Sequence, residues 1–261
     1  MGLGFALYPV TMTHLNRVNQ LSMILLLSLA VPAFGQTEHN AHLSSLNALK
    51  AKTEALAQKT DAEAQKNSTR LKHAKELLGK YYQKSVVKAS EGISNLDEAV
   101  LQWTQKLLRG KWKKQSKKVA TAILQESEKY GFDPIFLMAV IENESSFNPE
   151  VVGGHGEIGL MQLTPETAKW IAIKYDLHWK GVNSLKDPAT NIKIGSAYLA
   201  LLREKFDFHS QLYLAAYNMG TRNVIRALGR QIWPRDYPTR VMQRYVRYYS
   251  ELSEESDSQI N

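Results

Sequence analysis

The chain has 261 residues, 33 lysines and arginines against 25 aspartates and glutamates, a net charge of +8 and no cysteine. That length holds one sizeable domain plus an appendage, and the missing cysteines exclude a disulfide framework, a thiol nucleophile and a thiolate metal site. A basic balance directs attention to anionic partners: nucleic acid, membrane surfaces or acidic polymers.

The N-terminus narrows that choice. Leu21 to Val31 is an eleven-residue apolar core, preceded by Arg17 and followed by the small residues of Ala33-Phe34-Gly35. This is the pattern of a secretory signal, too short for a comfortable membrane span. Residues 1–35 therefore read as a signal peptide, with the mature chain starting near Gln36 and the protein exported to the periplasm or cell envelope. An uncleaved membrane anchor is the alternative. Met12 would head a more ordinary signal peptide than Met1 does. No cysteine follows the core, so a lipid anchor is not expected.

Residues 36–116 change character. They are rich in Ala, Lys, Gln, Glu and Leu, with no proline from Gln36 to Phe132. Leu43, Leu46, Leu49 and Leu56 fall loosely on a helical stripe. Long helices are expected, partly coiled-coil-like but too irregular for a regular heptad seam. Breaks are expected at Ser90-Glu91-Gly92-Ile93-Ser94 and at Leu108-Arg109-Gly110.

Residues 117–252 read as a nearly all-helical catalytic domain, followed by a polar tail at 253–261. Asp133-Pro134 starts a helix, with Asp as the cap and Pro pre-set for the first turn. Leu137, Val140, Ile141 and Glu144 then share one stripe, while Glu142 lies about 200° round the helix from Glu144. Four glycines punctuate the loop Val151 to Gly159. Thr164-Pro165, Asp187-Pro188 and Ser210 start further helices, the last ending at Gly220. A short helix is expected over Thr221 to Leu228 and a terminal one over Thr239 to Leu252. Strand content should be confined to a small hairpin in the glycine loop.

A carboxyl at the end of an apolar helix, beside a glycine-rich loop, can be held protonated near neutral pH. A general acid for glycosidic-bond cleavage requires that property. Four motifs occur in order: Glu144-Ser145-x-Phe147-x-Pro149; Gly156-x-x-Gly159-Leu160-Met161-Gln162-Leu163-x-Pro165-x-Thr167-Ala168; Asp187-Pro188-x-x-Asn191-Ile192-x-x-Gly195-x-x-Tyr198-Leu199; and Ala215-Ala216-Tyr217-Asn218-x-Gly220. Together they resemble the lytic transglycosylase family, the soluble lytic murein transglycosylase catalytic domain, with a goose-lysozyme-like fold. The likeness covers about residues 117–250. It implies a mainly α, lysozyme-like catalytic domain behind a helical N-terminal region.

The resemblance also implies a reaction. A peptidoglycan lytic transglycosylase would use Glu144 as its single acid and base on the β-1,4 bond between N-acetylmuramic acid and N-acetylglucosamine. The product would carry a 1,6-anhydromuramoyl end. Met161 and Gln162 would line the sugar sites. Tyr217 would stand near the scissile bond, its hydroxyl stabilising charge or holding Glu144. Asn218 would fix the local turn or contact glycan. Tyr237-x-x-x-Val241-x-x-x-Tyr245 resembles the family's closing helix, which makes Tyr237 a further candidate at the substrate. The chain departs from the family pattern at Gly153, commonly serine, and at Glu157, usually a small residue. Trp233 and Pro238 also replace the commonly seen glutamate and valine. Water attack in place of internal closure would make the enzyme a muramidase, and a wall-binding module without activity is the rival from another class.

Other chemistries lack their motifs. No His-Glu-x-x-His helix, Gly-x-Ser-x-Gly elbow or phosphate-binding glycine loop is present, and no cofactor or metal is expected. His155 reads as a solvated or cleft-edge residue and Ser145 as an orienting or structural hydroxyl. Two basic clusters stand out: Lys106, Arg109, Lys111, Lys113, Lys114, Lys117 and Lys118, then Arg222, Arg226, Arg230, Arg235, Arg240, Arg244 and Arg247. They are either a solvated face or a contact for anionic wall polymer or membrane headgroups. With an export signal and no recognised reading motif, nucleic acid is not expected as a partner.

Overall fold

The computed structural model describes residues 36–93 and 96–260. The expected signal peptide at 1–35 lies outside them. Among the described residues the fold is helical throughout, as expected; the sole β-structure is a pair of isolated antiparallel bridges, Val152 with Ile158 and Ile158 with Leu163. They sit in the glycine loop, where the hairpin was placed by sequence. No described helix is long and apolar enough to cross a membrane.

The chain divides into two units, Met1–Asp61 and Ala62–Asn261. Helix α1 (Gln36–Leu78) supplies all the described structure of the first. There Leu43, Leu49 and Leu56 are exposed, so the leucine stripe buries little within its own unit.

The second unit begins well before residue 117. Ala74 and Leu77 from the end of α1, and Tyr82 and Val87 beyond it, join the same apolar core as the catalytic segment. After α1 the chain breaks at Gly79, which adopts φ +51° and starts a 3-10 turn over Gly79–Lys84. Sequence reading did not anticipate this break. The short helix α2 (Val86–Ala89) and a 3-10 turn at Ser90–Gly92 follow, at the first expected break. Helix α3 (Leu96–Leu107) ends at the second expected break, and a 3-10 turn over Gly110–Gln115 leads into α4 (Ser116–Tyr130).

Helix α5 (Pro134–Ser145) is the central element. The Asp133 side chain accepts from the amide of Ile135 at 2.9 Å, and such a cap contributes about 1 kcal/mol. Residues Pro134 to Ile141 are all buried, which is why the run has no polar face. Helices α6 (Pro165–Lys174) and α7 (Pro188–Lys205) start as expected, with Thr164 capping Thr167 and Asp187 capping Thr190. Helix α8 (Ser210–Met219) ends at Gly220, and α9 (Thr221–Gly229) follows directly.

The last helix, α10 (Asp236–Ile260), starts three residues before the expected Thr239. Pro238 falls in its first turn, where no amide hydrogen is needed, so the proline is compatible with the helix rather than a barrier before it.

A buried polar cluster ties this unit together. Asp133 Oδ2 accepts from the hydroxyls of Tyr245 and Tyr249, each at 2.7 Å. The Asp133 amide donates to Nδ1 of buried His73 at 3.0 Å, and Arg70 donates to the Tyr249 hydroxyl at 2.6 Å. Burial pushes the Asp133 carboxyl up and the His73 imidazole well down, so the histidine is held neutral as an acceptor. Arg203 grips Glu76 through Nε and Nη2 at 2.6–3.0 Å and reaches the carbonyls of Tyr130 and Gly131. The start of α5 is therefore held by residues from both ends of the unit.

Candidate active site

Glu144 occupies the last turn of α5, half-buried, with its carboxyl facing the glycine loop, α8 and the start of α10. The turn is pinned by Ser145, whose buried hydroxyl donates to the carbonyls of Ile141 at 3.2 Å and Leu160 at 2.9 Å. Both acceptors of Ser145 are backbone carbonyls, so it acts as a strut from the helix to the loop. Ser146 and Phe147 then take left-handed backbone, φ +50° and +57°, and the Phe147 ring is buried. That anchor turns the chain sharply away from the acid. Glu142 points elsewhere, pairing with Arg247 at 2.5 Å.

The loop after α5 is two consecutive turns. Gly153 N–H donates to the Glu157 carbonyl at 2.8 Å and Gly159 N–H to the Val151 carbonyl at 2.9 Å, which closes the first turn. Ile158 and Leu163 exchange both backbone bonds across the second, at 3.0 and 3.2 Å. Gly159 has φ +82°, and a Cβ there would fall 2.4 Å from Asn191 Nδ2 and 2.6 Å from the Leu185 carbonyl. No other residue meets both demands.

Asn191, fully buried on α7, organises this loop. Its Oδ1 accepts from the Met161 amide at 2.8 Å, and its Nδ2 donates to the carbonyls of Ile158 at 2.8 Å and Leu185 at 3.1 Å. Sequence reading quoted Asn191 in a motif but gave it no role. The available signal was an amide side chain beside Ile192 near the start of an apolar helix, where a buried amide must be satisfied.

Met161 is fully buried, and a Cβ on Gly195 would come within 2.5 Å of its sulfur. Its side chain therefore offers no surface to a sugar; its backbone carries the local structure. Gln162, half-buried with φ +45°, donates from Nε2 to the carbonyls of Val151 at 3.0 Å and Gly159 at 2.9 Å. Its side chain spans the first turn as a brace.

The contact with Glu144 that the motif suggests for Tyr217 is made by Tyr237 instead. Tyr217 on α8 spends its hydroxyl on the Met161 carbonyl at 2.7 Å, with its ring 5.4 Å from that of Tyr198. Tyr237, buried at the start of α10, donates its hydroxyl to Glu144 Oε1. The hydroxyl that holds the acid thus comes from the final helix. Asn218 is exposed at the end of α8, where the turn is closed by Gly220 N–H on the Ala216 carbonyl and by Asn223 Nδ2 on the Met219 carbonyl. Asn218 is left open to the solvent side. His155 is exposed at the loop tip, 3.4 Å from Glu157.

The electrostatics fit an acid. Burial pushes the Glu144 carboxyl up from its ordinary value of 4.5 to about 7, against the pull of the Tyr237 hydrogen bond; Glu157 adds to the rise and Arg240 opposes it. Tyr237 itself is pushed well above its ordinary value by burial and by Glu144, so it remains a proton donor. The site can give a proton at neutral pH and take one back.

A helical domain with one half-buried acid, a tyrosine clamp and a two-turn loop is a setting fit for general acid–base chemistry. Residues 121–238 match the family model described as the transglycosylase SLT domain. The chain is 34% identical over 122 residues to membrane-bound lytic murein transglycosylase C of Serratia proteamaculans, covering 43% of this chain and 34% of that protein. It is 31% identical over 154 residues to the protein of the same name from Edwardsiella ictaluri, covering 55% and 42%. Among solved structures it is similar to an inactive mutant of lytic transglycosylase Slt from Pseudomonas aeruginosa, with 28% identity, a TM-score of 0.47, and coverage of 51% and 24%. The chain thus spans about a third of the length of the first of these relatives.

Proposed function

We propose that the protein is a peptidoglycan lytic transglycosylase with Glu144 as its single acid and base. The observation that carries this reading is the Glu144 carboxyl held at about 7 by burial while bonded to Tyr237. Protonated Glu144 gives its proton to the oxygen of the β-1,4 bond between N-acetylmuramic acid and N-acetylglucosamine. The muramoyl acetamido group supports C1 as that bond breaks, as in substrate-assisted glycosidases. Glu144, now ionised, takes the proton of the C6 hydroxyl, and O6 closes onto C1. The product is a 1,6-anhydromuramoyl end, no water is consumed, and Glu144 ends protonated. Tyr237 steadies the carboxylate between the two transfers, when it is charged in a partly apolar setting.

Met161 and Gln162 contribute by fixing the loop beside the acid; Tyr217 supports the same loop; Asn218, exposed at the end of α8, would contact glycan. The substrate is peptidoglycan glycan strands, and we place the protein outside the cytoplasm, in the periplasm or cell envelope. The basic residues extend this reading: all seven from Lys106 to Lys118 are exposed, with Lys111 paired to Glu150 and Lys118 to Asp187. The remaining five are available to anionic wall polymer or membrane headgroups.

Mass spectrometry of digested peptidoglycan tests the reaction. Anhydromuramoyl ends are expected. Reducing ends would make the protein a muramidase, and intact glycan would leave a wall-binding module.

A further inference from the structure

Two helix ends carry apolar residues that the core leaves outside. Helices α7 and α9 close in the same way. Phe208 N–H donates to the Arg203 carbonyl at 2.9 Å and Asp207 N–H to that of Glu204 at 3.1 Å. Ile232 N–H donates to the Ala227 carbonyl at 2.9 Å and Gln231 N–H to that of Leu228 at 2.8 Å. The last residue of this closing motif is commonly apolar and folds back onto its helix. Here Phe208 keeps 52% of its surface exposed and Ile232 57%. Phe208 also takes left-handed backbone, φ +61°, which a bulky residue rarely adopts. The two closures are joined side by side: the Trp233 ring lies 5.8 Å from that of His209, and Gln211 Nε2 donates to the Pro234 carbonyl at 3.0 Å. Trp233 is itself 47% exposed.

The charge around this patch is one-sided. From Phe208 to Arg235 the chain has four arginines and no acid, with Asp207 and Asp236 bounding the stretch. Arg226, Arg230 and Arg235 are exposed. Arg226 donates to the neutral amide of Asn223 at 2.9 Å, and among the described residues none of the three pairs with a carboxylate. Ile225 stands beside Arg226 on the solvent side of α9, while Val224 is fully buried. We propose that this face docks on the surface of an anionic lipid bilayer. Phe208, Ile232 and Trp233 enter the boundary between headgroups and acyl chains, and Arg226, Arg230 and Arg235 meet the lipid phosphates. An anionic wall polymer would be matched by the arginines alone and leaves the exposed Phe and Ile without a role. A bilayer surface offers anionic groups and an apolar layer within about 10 Å of each other. Tryptophan suits that boundary, its ring being apolar and its N–H polar. Trp233 lies four residues before Tyr237, so the contact holds the clamp on Glu144 close to the bilayer.

Nothing in this contact depends on the reaction at Glu144, and its test needs no glycan cleavage. The probe is a vesicle of phosphatidylethanolamine and phosphatidylglycerol with brominated acyl chains, which quench a tryptophan only at the depth of the chains. The protein is the mature chain expected from Gln36, which keeps every described residue and has its core between Ala74 and Leu252. It has no described helix able to cross a membrane. Comparison with Trp233→Phe isolates the Trp233 signal among the five tryptophans. Trp233 emission is expected to be quenched in these vesicles and not in brominated phosphatidylcholine alone. Replacing Arg226, Arg230 and Arg235 by glutamine should raise the lipid concentration for half-quenching roughly 100-fold. Ile232→Ser should raise it too, with the thermal midpoint unmoved because the side chain is exposed. Sedimentation with the vesicles without quenching of Trp233 would overturn the proposal and place the contact elsewhere on the chain. Absence of sedimentation would overturn it outright. A Trp233 response to purified peptidoglycan, and none to vesicles, would overturn it by assigning the face to glycan.

Discussion

The hydroxyl of Tyr237 donates to Oε1 of Glu144, joining residues 93 positions apart. The bond favours the charged carboxylate, while burial favours the neutral acid and prevails. A catalytic group that alternates between the two forms needs both influences: one to load the proton, the other to tolerate its departure.

Glu144→Gln should abolish cleavage and leave the fold intact, since the amide cannot give and recover a proton. A positioned acid is worth about 10²–10⁴-fold. The same change should stabilise the protein in a pH-dependent way. The folded carboxyl is raised from 4.5 to about 7, so its cost to folding is absent below 4.5, grows between the two values and is complete above 7. Relative to wild type, thermal unfolding of Glu144→Gln should therefore improve from pH 4 to pH 8 by on the order of 1–3 kcal/mol. Glu142→Gln, which loses only a partly exposed pair with Arg247, should cost about 0–1 kcal/mol and keep activity. Equal losses of activity from both changes would refute the assignment.

Tyr237→Phe removes the donor that supports the charged acid. Turnover should fall roughly 10- to 100-fold, the worth of a hydrogen bond to a charged group. With that support gone the Glu144 carboxyl rises further, so the alkaline limb of kcat/KM moves to higher pH. A limb that stayed in place would show that the bond is not made in solution.

Tyr217→Phe should behave differently. It frees the Met161 carbonyl inside the loop, at a stability cost of about 1 kcal/mol, with a smaller loss of turnover than Tyr237→Phe. Calorimetry alongside kinetics separates the two tyrosines. If Tyr217→Phe left melting unchanged and turnover collapsed, the Tyr217–Met161 bond would not be its role.

Sedimentation with purified wall material should weaken as salt rises, because attraction between exposed charges is screened over about 8 Å at physiological ionic strength. Replacing Lys111, Lys113, Lys114, Lys117 and Lys118 by glutamine should weaken it again at low salt. Binding indifferent to both would reduce the cluster to a solubilising surface.

Helix starts were legible because their causes are local. Asp133-Pro134, Thr164-Pro165 and Asp187-Pro188 each cap themselves within three residues. The place of Glu144 in the last turn of its helix was legible from stripe and motif. The identity of its hydroxyl partner was not, because Tyr217 and Tyr237 both belong to helices ending near the cleft and only tertiary packing decides which ring reaches Glu144. Met161 illustrates a second limit. Its motif marks a position near substrate, but the absent side chain of Gly195, 34 residues on, draws the thioether into the core. The early start of the second unit was hidden because Arg70 and His73 look like ordinary polar residues of a solvated helix until their partners on α5, α8 and α10 are in place.

Those partners bear on how this protein can be divided. Asp133 caps the acid-bearing helix, and its four stabilising contacts beyond that helix come from Arg70, His73, Tyr245 and Tyr249. All four lie outside the matched segment 121–238. A fragment cut to that segment would carry the four motifs from Glu144 to Gly220 and the intact acid, yet would leave the Asp133 carboxyl without its two tyrosine donors, at about 1–3 kcal/mol for each lost partner of a buried group. The smallest piece able to act alone is therefore set by the far end of the acid helix, and it reaches from about Ala62 past Leu252.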